Sequence, residues 1–161
     1  MIFVTVGTHE QQFNRLIRVV DELVGKGTLT DEVIMQVGYS TYEPRHCKWV
    51  KFVSISEMKT HMQQADVIIT HGGPSSFVEA MSAGRIPIVV PRSVEFGEHV
   101  NDHQLDFVRT VSDRNGGIIP VFDLANLMEA IDQARDATSA GTFVSHNSEF
   151  CKKLAGLIEG L

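Results

Sequence analysis

The sequence predicts a doubly wound, mostly parallel α/β sheet, and three observations support this fold class. Short β-branched apolar segments alternate with segments of helical periodicity along the 161-residue chain. Most of the apolar segments are continuous, which is typical of strands that are buried on both faces. The composition, with 43% hydrophobic and 21% charged residues, is that of a globular protein whose length fits one domain.

Six strands are predicted where short apolar runs end at turn residues, at 2–6, 32–37, 49–53, 66–70, 86–90 and 117–121. Five helices are predicted from apolar residues spaced three or four apart, at about 13–24, 58–65, 75–83, 101–111 and onward from 123. Ser56 is the predicted N-cap of the second helix. Val100 is predicted to open the inner stripe of the fourth helix.

Residues 137–161 are predicted to form a linker and an amphipathic C-terminal helix, outside an α/β domain of residues 1–136. The linker is predicted at 137–142, where the residues are small and polar. The helix is predicted from a stripe of apolar residues, Phe150, Leu154, Leu157, Ile158 and Leu161. This helix either docks on its own domain or is offered to a partner chain.

Charge and cysteine content exclude several classes of protein. The net charge of −6 and the lack of a basic run argue against nucleic acid as the main partner. Two cysteines, Cys47 and Cys151, are too few for a disulfide scaffold and favour a reducing compartment such as the cytoplasm. No apolar run approaches the length of a membrane span, and residues 1–6 resemble a strand rather than a signal peptide.

The loops that follow the strands are the candidates for a binding site, because ligands of parallel sheets bind outside the carboxyl ends of the strands. The histidines gather there. Five of the seven lie in these loops or at the adjoining helix start, namely His9, His46, His71, His99 and His103.

The fourth of these loops carries the sharpest pattern. A buried strand runs into the pair Gly72 and Gly73, and a helix opens at Pro74 or Ser75. Glycines allow a ligand to approach the backbone, and a helix N-terminus suits a phosphate group. Further donors would come from His71, Ser75 and Ser76. The alternative is a plain strand-to-helix turn with proline at its first position.

Glu79 allows two interpretations. The segment from Ser76 to Glu79 matches a capping box, which would require Ser76 to be the N-cap. A helix that begins at Pro74 instead leaves Glu79 a turn inside, where its carboxylate could accept both hydroxyls of a ribose. We favour entry at Pro74, because proline is common at the first helical position.

The start of the fourth helix carries two more candidates. Gln104 falls on the apolar stripe of that helix, so it is either a satisfied core glutamine or a ligand contact. His99 and His103 have the spacing of zinc ligands on a helix, but no accompanying H-E-x-x-H motif is present. A catalytic serine elbow is also missing from the sequence.

Taken together, these residues resemble the nucleotide-sugar site of GT-B glycosyltransferases. The resemblance rests on the run 71–76, Glu79-Ala80, Gly84, Pro87, Pro91 and His103-Gln104. More closely, residues 1 to about 136 are similar to the glycosyltransferase family 28 C-terminal domain. Residues 1–11 and 90–99 resemble the PssE/EpsF-like subunits of bacterial exopolysaccharide synthesis, relatives of the cytosolic subunit of a eukaryotic split GlcNAc transferase.

The resemblance implies a Rossmann-like C-terminal half of a GT-B fold and a UDP-sugar-dependent hexosyltransferase. By residue, it implies that Glu79 binds the ribose and that the backbone at 53–55 holds the uracil. His103 and Gln104 would meet the donor sugar. The diphosphate would lie in the glycine loop of Gly72 and Gly73, against Gly7, Thr8, His71, Ser75 and Ser76. The resemblance assigns no general base, cofactor or metal to this chain.

The same resemblance implies a heterodimer. A membrane-bound acceptor-half subunit, similar to PssD or EpsE, would complete the enzyme and would hold this chain at the inner face of the plasma membrane. The acceptor would be a lipid-linked saccharide. Two other functions stay open: a non-catalytic nucleotide-binding subunit that enhances a partner, and a metal hydrolase built on His9, His71, His99 and His103. A flavodoxin-like or NAD-binding protein is not favoured, because the first turn lacks G-x-G-x-x-G.

Overall fold

The computed structural model describes residues 1–114 and 117–140, together with Lys152 and Gly156. The strands in this part of the chain are β1 (Ile2–Thr5), β2 (Val33–Gln36), β3 (Lys48–Val50), β4 (Val67–His71), β5 (Ile88–Val90) and β6 (Ile119–Pro120). The helices are α1 (Asn14–Gly25), α2 (Ile55–Gln64), α3 (Pro74–Ser82), α4 (His103–Asp113) and α5 (Leu127–Ser139). Two short 3-10 turns, Val94–Phe96 and Leu124–Asn126, precede α4 and α5.

The strands form one sheet in the order β3-β2-β1-β4-β5-β6, and every neighbouring pair is parallel. The predicted doubly wound α/β fold is therefore confirmed. β1 lies at the centre, where Ile2 faces Val33 of β2 on one side and Val67 of β4 on the other. The strand order reverses between β1 and β4, and their carboxyl ends flank the crevice where such folds bind ligands.

Helices cover both faces of the sheet, because successive side chains of a strand point to opposite sides. Val4 belongs to the core layer that contains Leu16 of α1 and Ile131 of α5. Phe3 packs on the other face with Met62 of α2, and α3 and α4 cover that face beside β5. Each such fully buried side chain contributes about 1.5–3 kcal/mol to folding. Two packed layers thus fix the strand ends that carry the loops.

The loop between β3 and α2 corrects two predictions. β3 ends at Val50 rather than at residue 53, because the Val53 N–H donates to the Gln36 side chain at 2.9 Å instead of continuing the strand. The predicted N-cap Ser56 is wrong, since Ser54 caps α2. Its Oγ accepts the Glu57 N–H at 3.2 Å, and the Glu57 carboxylate accepts the Ser54 N–H at 2.7 Å. This reciprocal pair is a capping box.

Helix α4 begins two residues later than predicted. The Asn101 side chain accepts the N–H of His103 at 3.2 Å, and Asp102 accepts that of Val94 at 3.0 Å, so 101 and 102 form the turn before the helix. Val100 precedes this turn and is 71% exposed. Its predicted place on the inner stripe is therefore wrong, and buried Val108 and Val111 form the inner face.

The end of the described chain differs in part from the prediction. Asp123 caps a 3-10 turn through the Ala125 N–H at 2.9 Å, and α5 itself begins at Leu127. α5 continues to Ser139, through the first three residues of the predicted linker. The Thr138 hydroxyl donates to a carbonyl four residues back, at 2.9 Å, which satisfies it within the helix. The predicted amphipathic stripe at residues 150–161 lies outside the described residues.

Among the helices of the described residues, none combines the length and the apolar character that a transmembrane segment requires.

Candidate functional site

Two loops meet at the point where the strand order reverses. Gly7 follows β1, while His71 ends β4 and leads into Gly72 and Gly73. The His71 ring lies between the loops: a side-chain carbon on Gly7 would come within 2.7 Å of its Nε2, and one on Gly73 within 2.9 Å of its Cδ2. Both positions therefore require glycine. At Gly7 the left-handed φ of 73° adds a second reason.

His71 is a neutral imidazole held at the centre of this crevice. The residue is only 8% exposed, and burial lowers its pKa to about 3, assisted by the positive charge of Arg92. A hydrogen bond to the backbone of Thr5 acts in the opposite direction. Its Nδ1 is buried without a partner among the described residues. Such a ring can supply a polar contact to a ligand without itself carrying charge.

The pKa of His71 predicts a loss of stability in acid. The unfolded histidine takes up a proton below pH 6.5, whereas the folded one does so only near pH 3, so the unfolded state binds more protons between these values. The free energy of unfolding should therefore fall by about 1.4 kcal/mol per pH unit as the pH drops from 6 to 4. Urea unfolding of the wild type and of His71→Asn at several pH values between 6 and 4 measures this pH dependence of the free energy of unfolding. Identical slopes in the two proteins would contradict the prediction.

The N-terminus of α3 opens toward the same loops. The helix starts at Pro74 with Gly73 as its N-cap and no side-chain cap, so the capping-box interpretation of Ser76 is wrong. The N–H of Ser75 has no partner among the described residues, and the hydroxyls of Ser75 and Ser76 likewise make no hydrogen bond there. Glu79 lies more than a turn inside, partly buried, and its carboxylate forms no ion pair within that part of the chain. Free N–H groups at a helix start attract anions.

Gln104 joins two loops of the crevice through one oxygen. Its Oε1 accepts the N–H of Gly72 and the N–H of Arg92, each at 3.1 Å. This half of the side chain matches the interpretation as a satisfied core glutamine. The amide Nε2 makes no hydrogen bond within the described residues, so it stays available to a ligand. His103, beside it, and Thr8, after Gly7, are both exposed.

A buried arginine that sequence reasoning missed lies behind the β1 loop. Arg92 is 0% exposed, and its Nη2 donates to the Val6 carbonyl at 2.8 Å. Its Nη1 donates to the carbonyls of Gln11 at 2.9 Å, Glu98 at 3.0 Å and Gln12 at 3.1 Å. Burial lowers the pKa of Arg92 to about 10, against the opposing effect of Glu98, so the side chain stays charged at neutral pH.

Glu98 is the counter-charge of this network and is also 0% exposed. Its two carboxylate oxygens accept Nε and Nη2 of Arg15, at 2.9 and 3.0 Å, and the Ser93 N–H at 3.1 Å. Arg15 and Glu98 are 83 residues apart in sequence, so no local sequence pattern predicts their pairing. The sequence offers one indication, which is that charged residues gather in the loop that follows the apolar strand β5.

The remaining loop histidines do not form a metal site in the described residues. The rings of His9 and His99 meet edge to face with centroids 4.4 Å apart. Each Nδ1 already accepts a backbone N–H, from Gln11 at 3.4 Å and from Asn101 at 3.3 Å. Within the described ranges no group of three or more histidine, cysteine or acidic side chains is arranged to hold a metal ion. The metal-hydrolase hypothesis thus gains no support from this part of the chain.

The backbone predicted to hold uracil is largely occupied. The N–H groups of Val53 and Ser54 donate to the side chains of Gln36 and Glu57. Ile55 is the exception: its N–H has no partner among the described residues, and the residue is 88% exposed. Of the three backbone donors, only that of Ile55 can serve a nucleobase.

A cavity of about 480 Å³ lies apart from this crevice, between α1 and the loop that follows β2. It is lined by Asn14, Arg18, Thr41, Tyr42, Glu43, Pro44, Arg45 and Trp49. It shares no residue with the predicted site. The free N-terminus of α3 and the polar loop residues converge at the crevice and not at this cavity.

Solved structures share this fold. The glycotransferase of kitacinnamycin aligns over 98% of this chain and 42% of its own, with a TM-score of 0.68 and 17% identity. The glycosyltransferase SnogD from Streptomyces nogalater aligns over 99% of this chain and 43% of its own, with a TM-score of 0.57 and 17% identity. The fold is thus Rossmann-like and corresponds to the C-terminal half of a GT-B glycosyltransferase.

Sequence relatives point to a family. Two curated relatives are UDP-N-acetylglucosamine--N-acetylmuramyl-(pentapeptide) pyrophosphoryl-undecaprenol N-acetylglucosamine transferases. The one from Bdellovibrio bacteriovorus is 33% identical over 76 residues, which are 47% of this chain and 20% of the relative. The one from Hydrogenovibrio crunogenus is 32% identical over 88 residues, which are 55% of this chain and 24% of the relative. Residues 1–150 match the glycosyltransferase family 28 C-terminal domain, and the chain therefore belongs to that family.

Proposed function

We propose that this chain is the donor-binding half of a glycosyltransferase and that it binds a UDP-sugar in the crevice between β1 and β4. One observation carries the proposal: the uncapped N-terminus of α3 lies beside the neutral ring of His71, with the unpaired carboxylate of Glu79 one turn further along the helix. An anionic diphosphate followed by a ribose fits this order of groups. Family membership and the GT-B fold support it.

The site residues take the following roles in this proposal. The diphosphate lies against the α3 N-terminus and the glycine loop, with contacts from Gly7, Thr8, His71, Gly72, Gly73, Ser75 and Ser76. Glu79 accepts the ribose hydroxyls. His103 and the free Nε2 of Gln104 meet the sugar, and the Ile55 N–H meets the uracil.

The reaction is transfer of a hexosyl group to an acceptor hydroxyl with inversion at the anomeric carbon. The bond between that carbon and the diphosphate oxygen breaks as the acceptor oxygen attacks, and the hydroxyl proton goes to a general base. UDP departs with the bonding electron pair. Donors that are already oriented toward the diphosphate stabilise this developing charge with little reorganisation. In this chain those donors are the N–H groups at the N-terminus of α3, since the one N–H of the neutral His71 ring is engaged by the Thr5 backbone.

A second chain supplies the acceptor half in this proposal. The matched stretches cover about two fifths of the solved neighbours, and the family resemblance suggests a membrane-bound partner similar to PssD or EpsE. The acceptor is a lipid-linked saccharide, as the names of the curated relatives suggest. The complex would lie at the inner face of the plasma membrane and would serve exopolysaccharide synthesis.

Replacing Glu79 by Ala tests the proposal. We expect UDP to bind about 10–100-fold more weakly, because a hydrogen bond to a charged group contributes about 1.5–3 kcal/mol. Calorimetric titration with UDP, and with AMP as a ligand that should not bind, measures the change. The control is Glu129→Ala, an exposed glutamate on α5 remote from the crevice. Unchanged UDP affinity in Glu79→Ala, or equal binding of AMP by the wild type, would refute the proposed site.

A non-catalytic role is the second candidate, since we assign no general base to this chain. A transfer assay of the partner with and without this chain separates the two roles. Full activity of the partner alone would favour a regulatory subunit, while dependence on both chains and on Glu79 would favour a shared active site.

A further inference from the structure

We propose that Arg92 is a positioning residue that fixes the β1 loop, residues 6–12, over the donor-binding crevice. The inference rests on the proposed function and deepens it, because it concerns how the groups that face the diphosphate are held in place. Arg92 does not itself touch the proposed ligand, since its side chain is fully buried behind the loop.

The geometry places one guanidinium across both ends of that loop. Nη2 donates to the Val6 carbonyl at 2.8 Å, where the loop begins. Nη1 donates to the Gln11 and Gln12 carbonyls at 2.9 and 3.1 Å, where the loop ends. Between these anchors lie residues 7–10, whose further contacts include a 3.3 Å hydrogen bond from the Gly7 N–H to Thr5 Oγ1 and the edge-to-face contact of the His9 ring with His99. A planar guanidinium with donors in a fixed fork can bridge the two ends at once.

The same residue also connects the β1 loop to the glycine loop. The backbone N–H of Arg92 donates to Gln104 Oε1 at 3.1 Å, and that oxygen also accepts the Gly72 N–H at 3.1 Å. The side chain of Arg92 thus reaches one wall of the crevice while its backbone is tied to the other. In addition, its positive charge is one cause of the lowered pKa of His71, which lies between the walls.

Two surrounding groups keep the guanidinium in this place. Its carbon lies 4.9 Å from the ring centroid of buried Phe13, and Nη1 also donates to the Glu98 carbonyl at 3.0 Å. A lysine at position 92 would keep the charge near His71. It would offer a single ammonium on a flexible stem, which cannot repeat the bridge between Val6 and Gln11. The Arg92→Lys variant therefore separates positioning from charge.

The first measurement is made on the protein without ligand. Hydrogen exchange of the amides of residues 7–9 is compared in the wild type, in Arg92→Lys and in Ile131→Ala, a control that removes core volume on α5. We expect exchange at these amides to be about tenfold faster in Arg92→Lys than in Ile131→Ala, corresponding to about one lost hydrogen bond. Equal exchange in the two variants would overturn the proposal, whether or not UDP binds.

The second measurement is the Kd for UDP at a temperature where circular dichroism shows all three proteins folded. We expect binding about tenfold weaker in Arg92→Lys and unchanged within about twofold in Ile131→Ala. Faster exchange with unchanged UDP affinity would overturn positioning and leave Arg92 a purely structural residue. Absence of UDP binding by the wild type would refute the proposed function instead.

The third measurement tests the effect of the positive charge of Arg92 on His71. The pKa of His71, read from ring nitrogen resonances, should stay low in Arg92→Lys and rise in Arg92→Met, because only the second variant removes the positive charge.

If Arg92→Lys does not fold, Phe13→Leu replaces it, since leucine removes the ring face on which the guanidinium rests. We then expect a change of about threefold in the same direction for exchange and UDP binding. No change in either would overturn the proposal.

Discussion

Replacing Arg15 by Met is expected to reduce the free energy of unfolding by about 3–5 kcal/mol, because the buried carboxylate of Glu98 loses the arginine that hydrogen-bonds it and keeps only the electrostatic attraction of Arg92. Glu98 is 0% exposed and accepts hydrogen bonds from Nε and Nη2 of Arg15 at 2.9 and 3.0 Å. Most domains are stable by only about 5–15 kcal/mol, so this loss is a large share of the total. Urea unfolding followed by circular dichroism measures it.

The double variant Arg15→Met with Glu98→Gln shows whether the isolated charge is the cause. Removing the charge as well should restore part of the stability, with a coupling of about 0.5–3 kcal/mol in the double-mutant cycle. The exposed pair of Lys48 and Glu32 is the matched control. Lys48→Met should change stability far less, since exposed ion pairs contribute little. Additive losses at Arg15 and Glu98 would argue against a buried, coupled pair.

Replacing Gly7 by Ala is expected to have the second large effect, on both folding and binding. Alanine in the left-handed region costs about 1–2 kcal/mol, and overpacking against the His71 ring adds about 1–3 kcal/mol. A displaced His71 ring should also weaken the binding of UDP by about tenfold or more, because the loss of one well-placed contact has that magnitude. Thermal unfolding and calorimetry measure the two effects.

Gly27→Ala provides the control for the backbone. Gly27 has a φ of 71°, close to the 73° of Gly7, but a side-chain carbon there would meet nothing within 4 Å. The difference in destabilisation between Gly7→Ala and Gly27→Ala therefore measures the cost of the contact with the His71 ring. Equal destabilisation, with UDP affinity retained in Gly7→Ala, would show that the ring is not held in place by Gly7.

The strand pattern and the sheet type were predictable because hydrophobic periodicity is local and strong. Element ends were less predictable where side chains compete for backbone groups. Gln36 takes the N–H of Val53, and Ser54 caps α2, two residues before the predicted N-cap Ser56. Val100 fits the helical spacing, yet polar neighbours form the turn that ends before the helix.

The candidate site shows the same division between local and long-range information. The glycine loop and the helix start at Pro74 could be predicted from residues that are adjacent in sequence. The position of Gln104 on an apolar stripe indicated that its side chain needed a partner. Its two backbone partners come from other loops and could not be read from spacing. Arg15 of α1 and Glu98 of the loop after β5 are 83 residues apart, so only the folded chain shows their pairing. The predicted roles of the site residues stay predictions.

The two edges of the sheet restrict how this chain associates with others. At one edge, β3 is three residues long, begins with the exposed Lys48 and is followed by the exposed Lys51. At the other, the N–H groups of Ile119 and Val121 donate inward to the carbonyls of Pro87, just before β5, and Val89, and the intervening Pro120 has no N–H to offer outward. Short edges that carry lysine or proline resist pairing with a further strand. Within the described residues, extension of the sheet by another chain is therefore disfavoured, both as a route to aggregation and as a mode of partner recognition, and association is left to loops and helix surfaces.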